Sequence, residues 1–281
     1  MKIFSKIAQN ARAHDRIAGR YESEHLEIFN AVEQARLGAK LAEAAEHIRA
    51  GAEERAALDL GCGSGNLTSH LLRLGFRVTA ADISDRFLEL VRGKFGGNPR
   101  LTTARINGRD LALFPDNSFD LSAAYSVLHH APDYRGIVRE MGRVTKPGGV
   151  IYIDHESSPA YWGPRPEYDA FIAEASPPRA APPASRFLKL STYLGKLRLL
   201  IDPRYIAEGD IHVWPDDHIE WDVVSGILAA AGFEPLFSED YLLFRQGYPP
   251  AVYDRYKFKC SDIRVFAARK KTEAGPLGTG R

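Results

Sequence analysis

The sequence predicts an α/β fold built on a mostly parallel sheet with helices on both faces. Short apolar or β-branched runs alternate with helical stretches. The runs are AALDL, FRVTAADI, RLTTARI, FDLSAAYSVL and GVIYIDHE, and the helical stretches between them include NLTSHLLRLG, RFLELVRGKF and YRGIVREMGRV. Parallel strands need crossover connections, and right-handed crossovers place helices over both faces of a sheet. Before the fifth strand, Pro147 and Gly148 in KPGG predict a turn.

The length and composition are typical of a globular protein. The chain has 281 residues, of which 44% are hydrophobic and 26% charged, enough for one large α/β domain or two small ones. A net charge of +1 argues against a broad basic face for nucleic acid. No apolar run approaches the roughly 18 residues that span a membrane. Two cysteines are too few for a disulfide framework, so we expect a cytoplasmic protein.

Changes in this pattern divide the chain into five parts. An Ala-, Glu- and Arg-rich helical stretch comes first, the proline-rich SPPRAAPPAS interrupts the α/β alternation, and a polar, glycine-rich segment comes last. After the interruption, DDHIEWDVVSGILAAAG predicts a helix, and EPLFSEDYLLFR and SDIRVFAAR predict two strands. The predicted parts are an N-terminal helical cap at 1–50, an α/β core at 51–156, a lid insertion at 157–215, the C-terminal part of the core at 216–270 and a disordered tail at 271–281.

Within the insertion, residues 185–201 predict an amphipathic helix. Its apolar stripe has three- and four-residue steps and consists of Phe187, Leu190, Leu194, Leu197 and Ile201. Basic residues outnumber acidic ones around this stripe. The helix therefore suits contact with a membrane surface or a cover over an acidic or greasy ligand, and a solvated polar face is the alternative.

The segment ALDLGCGSGNL raises the question of a ligand. Gly61, Gly63 and Gly65 directly follow a predicted strand, where glycines let a backbone approach a ligand closely. A dinucleotide loop needs its third glycine one residue later, where Asn66 stands, and a P-loop needs Gly-Lys-Ser/Thr, which does not follow. The loop lacks the features of a phosphate clamp, and a purely structural loop remains the alternative.

Asp82 provides a second indication. It ends the predicted second strand about 20 residues beyond the first glycine, where a carboxylate accepts the ribose hydroxyls of a bound nucleoside. Its alternative role is to cap the following helix, for which Ser84 or Asp85 would also serve.

These motifs together resemble a known family. LDLGCGSGN, AADIS, FPDNSFDLSAAYSVLHHAPD and REMGRVTKPGGVIYID resemble successive motifs of class I S-adenosylmethionine-dependent methyltransferases of the small-molecule type, over Leu58 to Asp154. HDRIAGRYES resembles the helix that closes over the cofactor in many relatives. The resemblance implies a Rossmann-like sheet of seven strands in the order 3-2-1-4-5-7-6, with the seventh strand antiparallel, and S-adenosylmethionine as cofactor.

The resemblance also assigns cofactor-binding residues. Asp59 would lie near the methionine amino group, the backbone of Gly61 and Gly63 against the cofactor, Asp82 on the ribose and Ile83 beside the adenine. Relatives carry an adenine-binding aspartate at a position where this chain has glycine, so its neighbours are candidates to replace it. The further predicted cofactor-binding residues are Tyr21, Cys62, Gly65, Gly108, Arg109, Asp110, Ser126, Val127 and His130.

Candidate groups for the acceptor side cluster after the fourth and fifth strands. His129, His130 and His155 are candidate proton acceptors, and Glu156 stands beside the last of them; hydrogen-bonded structural histidines are the alternative. The predicted substrate-binding residues are Tyr125, His129, His155, Tyr161, Trp162, His212 and Trp214. No metal is predicted, because the spacing of the histidines and tryptophan in IHVWPDDHIEW matches no standard metal motif.

The sequence thus predicts a transferase that moves a methyl group, by in-line displacement, to an oxygen, nitrogen or carbon atom of a small biosynthetic acceptor. One alternative is a methyltransferase of RNA or of a membrane lipid, with nucleic acid the less expected partner. The other is a non-catalytic protein that binds S-adenosylmethionine for regulation. Donor motifs define the donor better than the acceptor, because an amine or carboxylate acceptor needs positioning alone.

Overall fold

A computed structural model describes residues 2–49, 54–176, 204 and 209–272. The N-terminal part is helical but interrupted. Its helices are α1 (Lys2–Ile17), α2 (Tyr21–Glu24) and α3 (Ala31–Glu46). Helix α3 starts where it does because the Asn30 side chain accepts a hydrogen bond from the Glu33 backbone N–H at 3.0 Å, a standard N-cap.

The remaining elements are strands and helices that alternate along most of the chain, as predicted. The strands are β1 (Ala56–Leu60), β2 (Arg77–Asp82), β3 (Leu101–Arg105), β4 (Phe119–Tyr125), β5 (Thr145–Ser157), β6 (Val213–Trp214), β7 (Asp217–His218), β8 (Phe233–Tyr241) and β9 (Ile263–Lys270). The helices are α4 (Asn66–Arg73), α5 (Asp85–Phe95), α6 (Tyr134–Val144), α7 (Pro166–Ala175), α8 (Trp221–Ala230) and α9 (Pro250–Tyr256).

Seven of these strands form one sheet in the order β3-β2-β1-β4-β5-β9-β8, and β6 and β7 form a separate hairpin. Strands β1 to β5 are mutually parallel, whereas β9 is antiparallel to both β5 and β8. If the seven strands of this sheet are numbered in chain order, leaving out β6 and β7, the order is 3-2-1-4-5-7-6. The predicted Rossmann-like fold with an antiparallel seventh strand is therefore confirmed.

The apolar core lies on both faces of the sheet, which explains why β1 is buried along its whole length and is apolar except at Asp59. Side chains alternate along a strand, so Ala57 packs with Leu41 of α3 and Leu71 of α4. Its neighbour Leu58 packs on the other face with Val138 of α6. Parallel strands covered on both sides need this kind of sequence.

Two local predictions differ from the structure. KPGG does not form a turn before β5 but lies inside it, because Gly148 at φ +79° lets the strand bulge between its pairings with Phe119 and Leu121. The helix predicted from DDHIEWDVVSGILAAAG begins at Trp221, because the residues before it form the β6–β7 hairpin. Helix α9 was not anticipated.

Parts of the insertion and tail lie outside the described residues. These include the predicted amphipathic helix at 185–201 with its apolar stripe, most of SPPRAAPPAS, and the tail from residue 273. At the start of the insertion, α7 packs on α9 through Phe171, which is fully buried. The five-part division of the chain stays a prediction. Within the part of the chain that the structure covers, none of the helices combines the length and apolar character of a membrane span.

A buried ionic network ties α3 to β5. The Arg36 guanidinium contacts Asp154 Oδ2 at 2.9 Å and Glu33 Oε2 at 2.9 Å, and it lies 3.8 Å over the Tyr241 ring. The Tyr241 hydroxyl donates to Asp154 Oδ1 at 3.0 Å. Burial raises the pKa of Glu33 while Arg36 opposes that shift. Burial also disfavours the charge on Arg36, but Asp154 and Glu33 outweigh it and raise the pKa of the guanidinium.

Candidate active site

The glycine loop connects β1 to α4 and takes left-handed backbone angles at all three glycines, with φ of +66° at Gly61, +49° at Gly63 and +95° at Gly65. A Cβ at Gly61 would lie 2.5 Å from Val127 Cγ2, whereas one at Gly63 would meet nothing within 4 Å. Gly61 is thus required by packing against the segment after β4. Gly63 leaves open space for a ligand.

Asp82 closes the opposite side of this loop. Its Oδ2 accepts the Gly63 backbone N–H at 2.9 Å and its Oδ1 accepts the Ser84 N–H at 2.7 Å. Burial raises the pKa of Asp82 to about 6, against the opposing hydrogen bonds from Gly63 and Ser84. The N-cap of α5 is Ser84, whose side chain accepts from the Phe87 N–H. Asp82 is therefore not needed as a cap.

Asp59 lies at the other end of the loop and is buried. Thr68 Oγ1 donates to Asp59 Oδ2 at 2.5 Å. Burial raises the pKa of Asp59 to about 7, and Thr68 opposes the shift. Asp59 lines a small hollow that Tyr21, Phe29 and Ser64 also line.

A larger cleft runs from Gly63 along the carboxyl ends of β1, β2 and β4. The predicted residues that line it are Tyr21, Gly61, Gly63, Asp82, Ile83, Gly108, Ser126, Val127 and His130. Helices α1 and α5 add lining residues that the sequence reasoning did not name, namely Ile7, Asn10, His14 and Phe87. Of these four residues, only His14 lies in a segment, HDRIAGRYES, whose sequence resembles a cofactor-covering helix.

Besides Asp59, four residues predicted to bind the cofactor do not line the cleft. The Cys62 side chain packs in an apolar cluster with Leu88, although its backbone borders the hollow at Asp59. Gly65 allows α5 to approach, since a Cβ there would lie 2.7 Å from the Phe95 ring. Arg109 and Asp110 lie on a turn outside the cleft, where a hydrogen bond from the Asn107 amide lowers the pKa of Asp110. Gly108, rather than its acidic neighbour, borders the cleft.

A second cavity adjoins the cleft and shares Tyr21 and Ser126 with it. We call it the histidine cavity, because four imidazoles line it together with three carboxylates. These groups are His25, His129, His155, His212, Glu27, Glu156 and Asp210. Apolar surface between them comes from Ile28, Val213, Ile219 and Ile263.

Of the seven predicted substrate residues, four border the histidine cavity or the cofactor cleft. His129, His155 and His212 line the histidine cavity, whereas Tyr125 borders the cofactor cleft and donates its buried hydroxyl to Glu33 at 3.0 Å. The other three lie outside both cavities. Tyr161 packs on Arg165 at 4.3 Å, Trp162 stacks on His218 at 4.6 Å and Trp214 lies beneath Arg204 at 5.7 Å.

The three candidate proton acceptors have different surroundings. His129 Nδ1 lies 2.8 Å from Glu156 Oε2. His130 borders the cofactor cleft, and burial together with His129 and His14 lowers its pKa well below the usual value. Burial also lowers the pKa of His155 to about 4. His155 stacks on Tyr125 at 4.7 Å in a left-handed backbone conformation of φ +62°.

Potential metal donors meet between the histidine cavity and the cofactor cleft, in a place the sequence did not suggest. One donor atom each of His129, His130 and Asp210 lies within 4.8 Å of the others. His130 Nδ1 and Asp210 Oδ1 are 3.2 Å apart. The expectation of no metal remains a prediction.

The sheet order, the glycine loop and the carboxylate after β2 define a Rossmann-like protein that binds a nucleoside-containing ligand. Comparisons with known proteins specify the family. A model of the methyltransferase domain matches residues 58–153. Demethylmenaquinone methyltransferase of Clavibacter sepedonicus is 32% identical over 176 residues, which are 63% of this chain and 64% of that protein. The chain thus spans just under two thirds of this relative.

Two further similarities agree. The ubiquinone/menaquinone biosynthesis C-methyltransferase UbiE of Shewanella sediminis is 31% identical over 207 residues, 72% of this chain and 73% of that protein. An S-adenosylmethionine-dependent methyltransferase structure from Mesorhizobium loti has the same fold, with a TM-score of 0.53 and 20% identity over 81% of this chain and 96% of that one. This chain belongs to the class I S-adenosylmethionine-dependent methyltransferases. The predicted family and its cofactor are confirmed.

The site residues fit that cofactor. The cleft is bordered by a buried carboxylate at Asp82 for vicinal hydroxyls and by apolar Ile83 and Ile106 for a base. The space beside Gly63, which a Cβ would enter without meeting protein, allows the ligand to contact the backbone. A second buried carboxylate, Asp59, lies in the adjoining hollow, as an ammonium group requires.

Proposed function

We propose that this protein methylates an aromatic, hydroxyl-bearing small molecule of the quinol type, bound in the histidine cavity. One observation carries the proposal: the cavity adjoins the cofactor cleft, and Tyr21 and Ser126 line both. An acceptor there would border the cofactor without sharing its site. The names of the two relatives, which concern menaquinone and ubiquinone, support the same class of acceptor.

The donor half of the reaction follows from the cleft. When bound, S-adenosylmethionine supplies an electrophilic methyl group on a sulfonium. Asp82 would accept the ribose hydroxyls, Asp59 would pair with the amino group, and the backbone of Gly61 and Gly63 would lie against the ligand. These residues hold the donor in one orientation and keep water from the cleft, which is the protein's main contribution to an in-line displacement.

The acceptor half follows from the mixed lining of the histidine cavity. Ile28, Ile219 and Ile263 offer apolar surface to the faces of a ring. Imidazoles at its polar side can hydrogen-bond a hydroxyl and accept its proton. A phenolic hydroxyl needs such a group, because it is protonated near neutral pH.

The same lining disfavours the alternatives among methyltransferases. Glu27, Glu156 and Asp210 all border the cavity. Carboxylates repel phosphate, so an RNA strand or a phospholipid headgroup is a poor occupant. The charge of the cavity lining does not argue against a non-catalytic protein. A turnover measurement distinguishes that alternative from an enzyme.

The test is incubation of the purified protein with trideuteromethyl-labelled S-adenosylmethionine and separate acceptors. The acceptors are a short-chain 1,4-naphthoquinol, a benzoquinol, phosphatidylethanolamine vesicles and total RNA. We expect release of S-adenosylhomocysteine and one labelled methyl group on a quinol by mass spectrometry. Labelling confined to the vesicles or RNA would overturn the proposed acceptor. Cofactor binding by calorimetry without turnover of any acceptor would favour the regulatory alternative.

A further inference from the structure

Glu156 is a buried carboxylate, and the side-chain hydrogen bonds that it makes within the described part of the chain go to the segment after β4. It is 2% exposed. Its Oε1 accepts the backbone N–H groups of Val127 at 2.9 Å and Leu128 at 2.7 Å, and its Oε2 faces His129 Nδ1 at 2.8 Å. The side chain therefore fixes both the short turn that carries His129 and the ring itself.

This contact determines the tautomer of His129. A carboxylate only accepts hydrogen bonds, so Nδ1 of the imidazole carries the proton that is donated to Oε2. In the neutral ring the lone pair then resides on Nε2. A histidine held in this way is oriented for proton transfer, because the carboxylate also stabilises the imidazolium that forms.

His129 is better suited than its two neighbours to act on an acceptor. It borders the histidine cavity, whereas His130 borders the cofactor cleft. His155 borders the cavity too, but its ring stacks on Tyr125 and burial lowers its pKa to about 4. A base whose pKa is so far below neutrality takes up a proton poorly at pH 7.

Resting on the proposed function, we propose that Glu156 is a positioning residue that holds His129 in the Nδ1–H tautomer, with His129 Nε2 as the base for the acceptor hydroxyl. In the reaction the acceptor O–H bond breaks and its proton goes to Nε2. In O-methylation, the electron pair left on oxygen forms the new bond to the methyl carbon. In C-methylation, the same pair is delocalised into the ring, and a ring carbon forms that bond. In both cases the bond between sulfur and the methyl carbon breaks as the new bond forms. The imidazolium later releases its proton to water.

When the ring carbon is methylated, that carbon subsequently loses its own proton and the oxygen regains one, so one proton is released overall in either case. The sequence could not reveal this pair. His129 and Glu156 are 27 positions apart and meet because the ends of the parallel strands β4 and β5 are adjacent.

The informative variant is Glu156→Gln. Its amide oxygen can still accept the two backbone N–H groups, but its NH₂ faces His129 Nδ1 and forces the ring into the Nε2–H tautomer. Spectra of ¹⁵N-histidine-labelled protein report the tautomer without any acceptor, with His129→Asn used to assign the signal. We expect a protonated Nδ1 in the unmodified protein and a protonated Nε2 in Glu156→Gln. A protonated Nε2 in the unmodified protein would overturn the proposal.

Kinetics with the quinol that is turned over test the base. We expect Glu156→Gln to lower kcat about 100-fold, as for loss of a general base, with unchanged affinity for S-adenosylmethionine. The double variant with His129→Asn should be no slower than either single variant. The exposed Glu89→Gln is the control. Full activity of Glu156→Gln would contradict the mechanism.

Two other outcomes are informative. The expected tautomers without turnover of any acceptor would remove the proposed function and the base role, while control of the tautomer by Glu156 would stand. Loss of activity on chelation, restored by a divalent metal, would make His129 a metal ligand together with His130 and Asp210, and would overturn its role as base.

Discussion

The backbone N–H of Gly63 donates to Asp82 Oδ2 at 2.9 Å, a contact that joins the glycine loop to the end of β2. The residue expected to hold the ribose therefore also holds the loop that lies against the ligand. Donor binding and loop geometry should respond together to changes at Asp82.

Replacement of Asp82 by Ala should weaken S-adenosylmethionine binding by roughly 1–3 kcal/mol, because the buried N–H groups of Gly63 and Ser84 and the ribose lose an acceptor. The affinity of Asp82→Asn, which keeps one acceptor oxygen, should lie between those of Asp82→Ala and the unmodified protein. The neighbouring Asp85→Asn, which changes an exposed carboxylate, is the control. Calorimetry that found the same affinity for Asp82→Ala and the unmodified protein would exclude Asp82 from the site.

Alanine substitutions at Gly61 and Gly63 should affect different properties: the first should lower stability, and the second should abolish cofactor binding. Gly61→Ala places a Cβ 2.5 Å from Val127 Cγ2, so we expect a loss of stability of about 1–3 kcal/mol from overpacking. Gly63→Ala meets no protein atom within 4 Å and should cost about 1–2 kcal/mol for its left-handed backbone, yet abolish cofactor binding. Thermal unfolding and calorimetry separate these effects.

Gly93→Ala, in helix α5 with open space around the new methyl group, is the matched control: it should leave binding intact and raise the free energy of unfolding by about 0.5–1 kcal/mol, because alanine is the better helix former. Tight cofactor binding by Gly63→Ala would show that the loop does not contact the ligand.

Cofactor binding should release a proton near neutral pH. Burial raises the pKa of Asp59 to about 7, above the value of about 4 in an unfolded chain. Between these values the folded protein binds more protons, so this group makes the free energy of unfolding of the free protein fall as pH rises from about 4 to 7. A bound ammonium group favours the carboxylate, so affinity should rise with pH over the upper part of that window.

Calorimetry in buffers of different ionisation enthalpy measures the proton released. Asp59→Asn should remove this release and flatten the pH dependence of affinity. Identical heats in all buffers with the unmodified protein would contradict the assignment of Asp59 to the amino group.

The ionic network between α3 and β5 should dominate the stability of the N-terminal part. Arg36→Met leaves the carboxylates of Glu33 and Asp154 buried without their cation, which typically lowers the free energy of unfolding by about 3–5 kcal/mol. Arg86→Met removes an exposed pair with Glu89 and should change it by about 1 kcal/mol or less. Urea unfolding compares them, and equal effects would mean that the buried network contributes little.

Most residues predicted for the donor side line one cleft, because their sequence signals are local. Gly61, Gly63 and Asp82 lie on one strand–loop–helix–strand unit, where the need for left-handed angles and a strand-end carboxylate limits the residue types. Asp110 was a weaker candidate, since a loop carboxylate has no positional constraint that a sequence reveals. The structure places it in solvent, held by Asn107.

The acceptor side was predicted only in part, because distant segments build it. His129 and His155 followed from their strand ends, but His25 and Asp210 come from loops without a pattern. Glu33 and Arg36 were also hidden, because i, i+3 charges on a helix usually lie on a solvated face. Here that face is turned inward against Asp154.

This last contact bears on where the protein can be cut. Asp154 lies one position beyond the segment that matches the methyltransferase domain, and its cation comes from Arg36, 118 positions earlier. A fragment trimmed to the family motifs from Leu58 to Asp154 would keep the buried carboxylate and discard its counter-ion. Grafts and minimal versions of this catalytic core should therefore carry the first helices with them.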